Sequence, residues 1–175
     1  MKKLVLGSAI LAVLGMTSSA MAANSGTVNF TGAVSTATCN LSVKDANGGD
    51  IANVDLGTLS STATTNGTAV NFKLVPEEAT CLTKTSANMT WTSANLNATG
   101  LSNAATNGTN ATMTLQAANS SATDKAVKQG NTSFDYTVTG GIKEFNYTAQ
   151  LIKPTTGAMT AGPFTTSASY VVAYK

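Results

Sequence analysis

The sequence predicts an all-β protein, a sandwich of short strands held by one disulfide and placed outside the cytoplasm. Three observations carry this. Apolar residues recur at period two along most of the chain, and Asn-Gly and Gly-Gly pairs punctuate them. The only two cysteines, Cys39 and Cys81, lie behind an N-terminal export signal.

That signal comes first. Met1 is followed by Lys2 and Lys3, by the apolar runs Leu4-Val5-Leu6 and Ala9 to Leu14, and by small residues ending in Ala20-Met21-Ala22. A charged start, a short apolar middle and an A-x-A exit form a secretory signal peptide over residues 1–22. Gly7, Ser8 and Gly15 interrupt the apolar run, which is too short to span a bilayer comfortably. Cleavage removes Lys2 and Lys3, leaving eight lysines against eight acidic residues, with no arginine and no histidine. A balanced chain of this kind offers no basic face to nucleic acid and no basic amphipathic helix to a membrane surface.

The first strand candidate is Gly26-Thr27-Val28-Asn29-Phe30-Thr31-Gly32-Ala33-Val34, with Val28, Phe30 and Val34 at period two and Gly26 and Gly32 in the same register. Further candidates cover residues 37–43, 51–56, 68–75, 88–91, 112–117, 134–139 and 144–152. Turns are marked by Asn47-Gly48-Gly49, Asn66-Gly67, Asn107-Gly108 and Gly140-Gly141. No stretch after the signal holds a 3.6-residue period over three turns. At the C-terminus Phe164, Ala168, Tyr170, Val172 and Tyr174 share one face with Gly162 and Thr166, and the alternation runs to Lys175. So long and apolar an edge invites aggregation unless something covers it, whether another strand of the same chain or a strand from elsewhere.

Cys39 and Cys81 are expected to pair, because an exported chain meets an oxidising compartment. Closing that loop contributes roughly 4 kcal/mol on the chain-entropy model. Two thiols without histidine make a poor metal site, and no C-x-x-C spacing suggests redox chemistry. Catalysis is poorly supported: without histidine there is no Ser-His or Cys-His pair, and no glycine-rich phosphate loop precedes a helix. Glu77-Glu78 follows Pro76 and reads as a turn. No cofactor is expected.

Several segments together carry a family resemblance. Tyr174 is penultimate and Gly162 stands fourteenth from the end, with alternating apolar residues between. Gly26 to Gly32 precedes Cys39, Val54-Asp55-Leu56-Gly57 lies between the cysteines, Phe72-Lys73-Leu74 leads into Cys81, and Tyr147-Thr148-Ala149-Gln150-Leu151 follows later. In this order the chain resembles a chaperone–usher pilin of the type 1 fimbrial family over its whole mature length. Within that family, Phe145 to Leu151 and Phe164 to Tyr170 are similar to the major, sialic-acid-binding shaft subunit of animal enterotoxigenic fimbriae. The Phe72–Cys81 distance, with Pro76-Glu77-Glu78 in the gap, is longer than the family pattern.

The resemblance implies an exported adhesive fimbrial subunit with an incomplete immunoglobulin-like β-sandwich, completed by a donor strand from a neighbouring subunit. Residues 23–34 would be the donor extension and residues 35–175 the pilin domain. Gly26, Val28, Phe30 and Gly32 would enter the neighbour's groove. Gly162, Phe164, Ala168, Tyr170, Val172 and Tyr174 would border the acceptor groove and the chaperone-binding strand, with the carboxylate of Lys175 held in the chaperone cleft. The implied partners are a periplasmic chaperone, an outer-membrane usher and identical subunits, joined by strand addition. Two other readings stand beside this one. In a lectin for sialylated glycans, Lys125, Lys128 and Lys143 would meet the sialate carboxylate, although solvated lysines are the commoner case. Trp91 could stack on a sugar but more often lies in a core. The last reading is a self-contained exported β-sandwich.

Overall fold

The computed structural model describes the backbone of residues 26–32 and residues 39–175 in full. The signal peptide assigned to residues 1–22 lies outside the described residues. Among the described residues, eleven strands and one short helix follow in order: β1 (Gly26–Gly32), β2 (Leu41–Asp45), β3 (Asn53–Asp55), β4 (Val70–Pro76), α1 (Ala79–Leu82), β5 (Ser86–Thr92), β6 (Leu101–Ser102), β7 (Thr112–Ala117), β8 (Ala126–Val127), β9 (Ser133–Thr137), β10 (Phe145–Ile152) and β11 (Phe164–Tyr174). They form two sheets. One has the order β3-β1-β11-β5-β9, the other β2-β4-β10-β7-β6 with β8 added on β7.

Period-two alternation builds the core, as expected from the sequence. Phe72 and Leu74 on β4, Ala87, Met89 and Trp91 on β5, and Met113, Leu115 and Ala117 on β7 are all buried. Phe134 and Tyr136 on β9, and Phe145, Tyr147, Ala149 and Leu151 on β10, complete the opposing faces. The intervening residues are mostly Thr, Asn, Ser and Lys, which keeps each outer face wet. Trp91 is fully buried, so the core role prevails over sugar stacking.

One polar cluster joins the sheets through this apolar layer. Trp91 Nε1 donates to Tyr147 Oη at 3.1 Å, and the Tyr136 and Tyr147 hydroxyls meet at 2.7 Å. The Tyr147 hydroxyl also lies 2.9 Å from Met89 Sδ. The rings pack as the groups bond: Trp91 meets Tyr147 edge-on at 5.0 Å, and Phe72 stacks on Tyr147 at 5.5 Å. Because β5 and β9 belong to one sheet and β10 to the other, a single hydroxyl fixes their separation and register.

The disulfide Cys39–Cys81 is present, with its Cα atoms 5.9 Å apart. It ties the approach to β2 to α1, which was not foreseen as a helix. The Pro76-Glu77-Glu78 segment ends β4 and leads into this single helical turn. Four residues cannot display a 3.6 period. β6 and β8, of two residues each, are also too short for alternation to register. At Gly140-Gly141 the predicted turn holds, and Gly141 has no alternative: at φ +92° a Cβ would lie 2.1 Å from the Leu82 carbonyl oxygen.

Two expectations about the last strand are revised. β11 stops at Tyr174, and Lys175 follows it with its backbone N–H donated to the Ser86 carbonyl at 2.9 Å. Nor is β11 an edge: β5 pairs one side and β1 of the same chain the other. An open β11 edge would leave a row of main-chain donors and acceptors unpaired beside a buried face, and residues 26–32 satisfy them.

Replacing Tyr147 by Phe leaves the buried Trp91 N–H and the Tyr136 hydroxyl without their common partner. At about 1–3 kcal/mol for each of the two unsatisfied buried groups, the Tyr147→Phe chain is expected to lose roughly 2–6 kcal/mol of stability. Urea denaturation checks this, with the slope unchanged.

Candidate functional site

The site is the slot between β3 and β11 that β1 occupies. β11 enters it through Gly162, whose φ of +152° is open to glycine. A Cβ there would sit 2.8 Å from the Asn107 carbonyl oxygen and 2.9 Å from Gly108. Gly162 therefore serves the close approach of the Asn107-Gly108 loop to the start of β11. Asn103 completes the anchorage, with Nδ2 donating to the Pro163 carbonyl at 2.8 Å and Oδ1 accepting from the Thr165 N–H at 2.9 Å.

Along β11 the buried face is Phe164, Thr166, Ala168, Tyr170 and Val172, each at most 6% exposed. Its main chain pairs with β1 in parallel, from Gly26↔Phe164 through Val28↔Thr166 and Phe30↔Ala168 to Gly32↔Tyr170. On the other side β1 runs antiparallel to β3, matching Thr27↔Asp55, Val28↔Val54 and Asn29↔Asn53. Gly26, Val28, Phe30 and Gly32, expected from the sequence to be given, are thus paired along β11 beside Phe164, Ala168 and Tyr170, expected to receive, within one chain. Val172 and Tyr174 lie beyond the β1 register and pair with Met89 and Ala87 of β5.

Two elements of the slot were not assigned from the sequence. Val54, 1% exposed, stands on the second wall. The Val54-Asp55-Leu56-Gly57 motif was visible, but a three-residue strand shows too little alternation to reveal its neighbour. Thr166 was seen in register with the apolar face and not counted among the groove residues. It is 2% exposed, and its hydroxyl has no hydrogen-bond partner among the described residues.

The electrostatics of the slot favour neutral groups. Burial pushes the Tyr170 phenol up, helped by the nearby Glu77 carboxylate. Tyr174 is pushed up to about 12, first by burial and then by Glu78 and Tyr170. In the adjoining cluster, burial likewise raises Tyr136 and Tyr147. On the outer surface, Glu144 is held below its ordinary value, chiefly by the Asn146 side-chain hydrogen bond and also by Lys73 at 3.2 Å.

The three lysines considered for glycan contact are engaged within the chain. Lys125 Nζ donates to the Ala118 carbonyl at 2.6 Å, and Lys143 Nζ donates to the Leu82 carbonyl at 2.9 Å. Lys128 pairs with Asp124 at 2.8 Å, and that bond is the main reason the Asp124 carboxyl is held below its ordinary value.

Residues 28–175 match the family model described as fimbrial protein. The chain belongs to the fimbrial protein family. It is 38% identical to the K99 fimbrial protein of Escherichia coli, with 99% of each chain covered. It is 32% identical to the F107 fimbrial protein of Escherichia coli, with 100% of each covered. In fold, this fimbrial subunit is similar to the P pilus rod subunit PapA, with a TM-score of 0.50 and 20% identity, over 79% of this chain and 100% of that one. It is a structural subunit of a cell-surface fimbria, exported and built as an all-β sandwich.

All four tyrosines of the sequence are held neutral by the fold. A phenol whose folded value is raised adds stability that is complete below its unfolded value of 10.0 and is lost as pH climbs towards the folded one. Tyrosinate absorbance is expected to rise at higher pH than for a free phenol, most of it with alkaline unfolding. Ionisation of all four phenols at the pH of free tyrosine with intact near-ultraviolet dichroism would contradict the burial of Tyr136, Tyr147 and Tyr170.

Proposed function

We propose that this fimbrial subunit joins its neighbours by donor-strand exchange. After removal of residues 1–22, residues 23–34 form the extension that is given, and residues 35–175 form the sandwich that receives. A periplasmic chaperone covers the slot beside β11 first, and an outer-membrane usher passes the subunit to the growing fibre. The role is structural, and no reaction is assigned to any residue.

The observation that carries this reading is the pairing of residues 26–32 with residues 164–170. The slot accepts a strand of this very sequence over seven consecutive register partners. Every copy carries both the strand and the slot, so a strand given to the next copy makes a head-to-tail contact that repeats without closing. Main-chain bonds supply strength in such an addition, and alternate side chains set the register. The slot is also bounded by β3 for three register pairs, so an incoming strand is held on both sides.

Glycan binding through Lys125, Lys128 and Lys143 is not favoured, because each ammonium group already has a partner within the chain.

Co-expression with the cognate chaperone tests the reading. The chain lacking residues 23–32 is expected to accumulate as a chaperone complex and to form no fibres. Fibres of normal length from that deletion would overturn the proposal. Phe30→Ala is expected to weaken subunit joining by about 3 kcal/mol, the low end for deleting a buried aromatic, and to lower the temperature at which purified fibres fall apart.

A further inference from the structure

The sequence holds three Asn-Gly pairs, Asn47-Gly48, Asn66-Gly67 and Asn107-Gly108, and all three asparagines are exposed. In such a pair the glycine amide nitrogen can attack the asparagine side-chain carbonyl, because no Cβ on the second residue obstructs the approach. Exposure does not separate the three sites. Their surroundings do.

Asn66 is held by hydrogen bonds. Its Oδ1 accepts from the Lys153 N–H at 3.2 Å, the Gly67 N–H donates to the Leu151 carbonyl at 2.9 Å, and the Gly67 carbonyl accepts from Gln150 Nε2 at 2.8 Å. Asn107 is held by packing at the start of β11. A Cβ on Gly108 would sit 2.5 Å from the Pro163 carbonyl oxygen, and the Thr109 N–H donates to that same oxygen at 3.1 Å. Turning either glycine amide towards its asparagine side chain breaks these contacts.

Asn47 differs. It lies in the turn between β2 and β3, and among the described residues its side-chain amide has no hydrogen-bond partner. Nothing lies within 4 Å of where a Cβ on Gly48 would stand. The turn is pinned through Asp45, whose Oδ1 accepts from the Asn47 and Gly49 N–H groups at 2.8 and 2.9 Å. Those bonds leave the Asn47 side chain free to swing. One bond, from the Gly48 N–H to the Asp45 carbonyl at 3.1 Å, has to open before Gly48 N reaches Asn47 Cγ.

We infer that Asn47 is a site of spontaneous deamidation in the folded subunit. The Gly48 nitrogen forms a bond to Asn47 Cγ and the Cγ–Nδ2 bond breaks. The nitrogen leaves as ammonia, taking the proton given up by the Gly48 N–H. Water then opens the cyclic imide. Attack at Cγ returns the ordinary chain with an aspartate side chain. Attack at the main-chain carbonyl leaves the chain running through Cβ and Cγ, one carbon longer, in the connection to β3 and its buried Val54. Either product adds a negative charge to a turn that already holds Asp45 and Asp50. Without residues 1–22 the chain carries eight lysines and eight carboxylates, so the added charge is its whole side-chain imbalance. Ammonia is lost to solvent, and the change accumulates with the age of the fibre.

Peptide mapping by mass spectrometry follows the three sites in purified fibres kept in mildly alkaline buffer, with fragmentation to separate Asn47 from Asn66. Asn47 is expected to convert first, and Asn66 and Asn107 to be slower by about tenfold or more, because further contacts must open before they react. In the reduced, unfolded chain all three are expected to convert at comparable rates, which separates protection by the fold from the shared Asn-Gly chemistry. Isoelectric focusing of aged subunits is expected to show an additional acidic species that Asn47→Ser fibres do not form. Asn66 or Asn107 keeping pace with Asn47 in fibres would overturn the inference, as would an Asn47 that reacts only in the unfolded chain. So would an acidic species that builds up at the same rate in Asn47→Ser fibres.

Discussion

The fold depends on satisfying both main-chain edges of β11. This strand, Phe164–Tyr174, is the longest among the described residues, and its inner face supplies Phe164, Ala168, Tyr170 and Val172 to the core. A strand so apolar on one face must lie inside a sheet, where its polar main chain is paired on both sides. β5 supplies one side over Ala87 to Thr92, and β1 supplies the other over Gly26 to Gly32. Without a strand in the β1 position, the slot would expose both an unpaired edge and the core beneath it.

The rest of the sandwich holds that slot at a fixed width. Tyr147 reaches from one sheet to Trp91 and Tyr136 of the other, so the spacing of the layers is set by hydrogen bonds as well as by volume. Such a bond stabilises by only about 1 kcal/mol net. Its larger effect is on specificity, since a shift of register would strand three buried polar groups. The Cys39–Cys81 bond ties the approach to β2 to α1, the turn of helix that follows β4.

The proposed exchange rests on this division between a body and a strand that pairs with it. Each copy holds both the slot and a strand of matching register in one chain, so under that proposal one copy gives its strand to the slot of the next.

Much of this was legible in the residues. The β-sandwich class, the strands from β4 through β5, β7, β9 and β10 to β11, and the pairing of Cys39 with Cys81 follow from alternation, turn residues and the compartment implied by residues 1–22. These are local properties, in which each residue's neighbours two positions away determine its face. Short elements escaped, because α1, β6 and β8 are too brief to show a period. Which strand lies beside β11, its direction and its register could not be read locally. They depend on contacts between residues about 140 positions apart, such as Gly26 with Phe164. The sequence determined that β11 needs a partner along its exposed edge; only the tertiary structure determined that residues 26–32 of the same chain can provide it, in parallel, with glycine beside each aromatic residue.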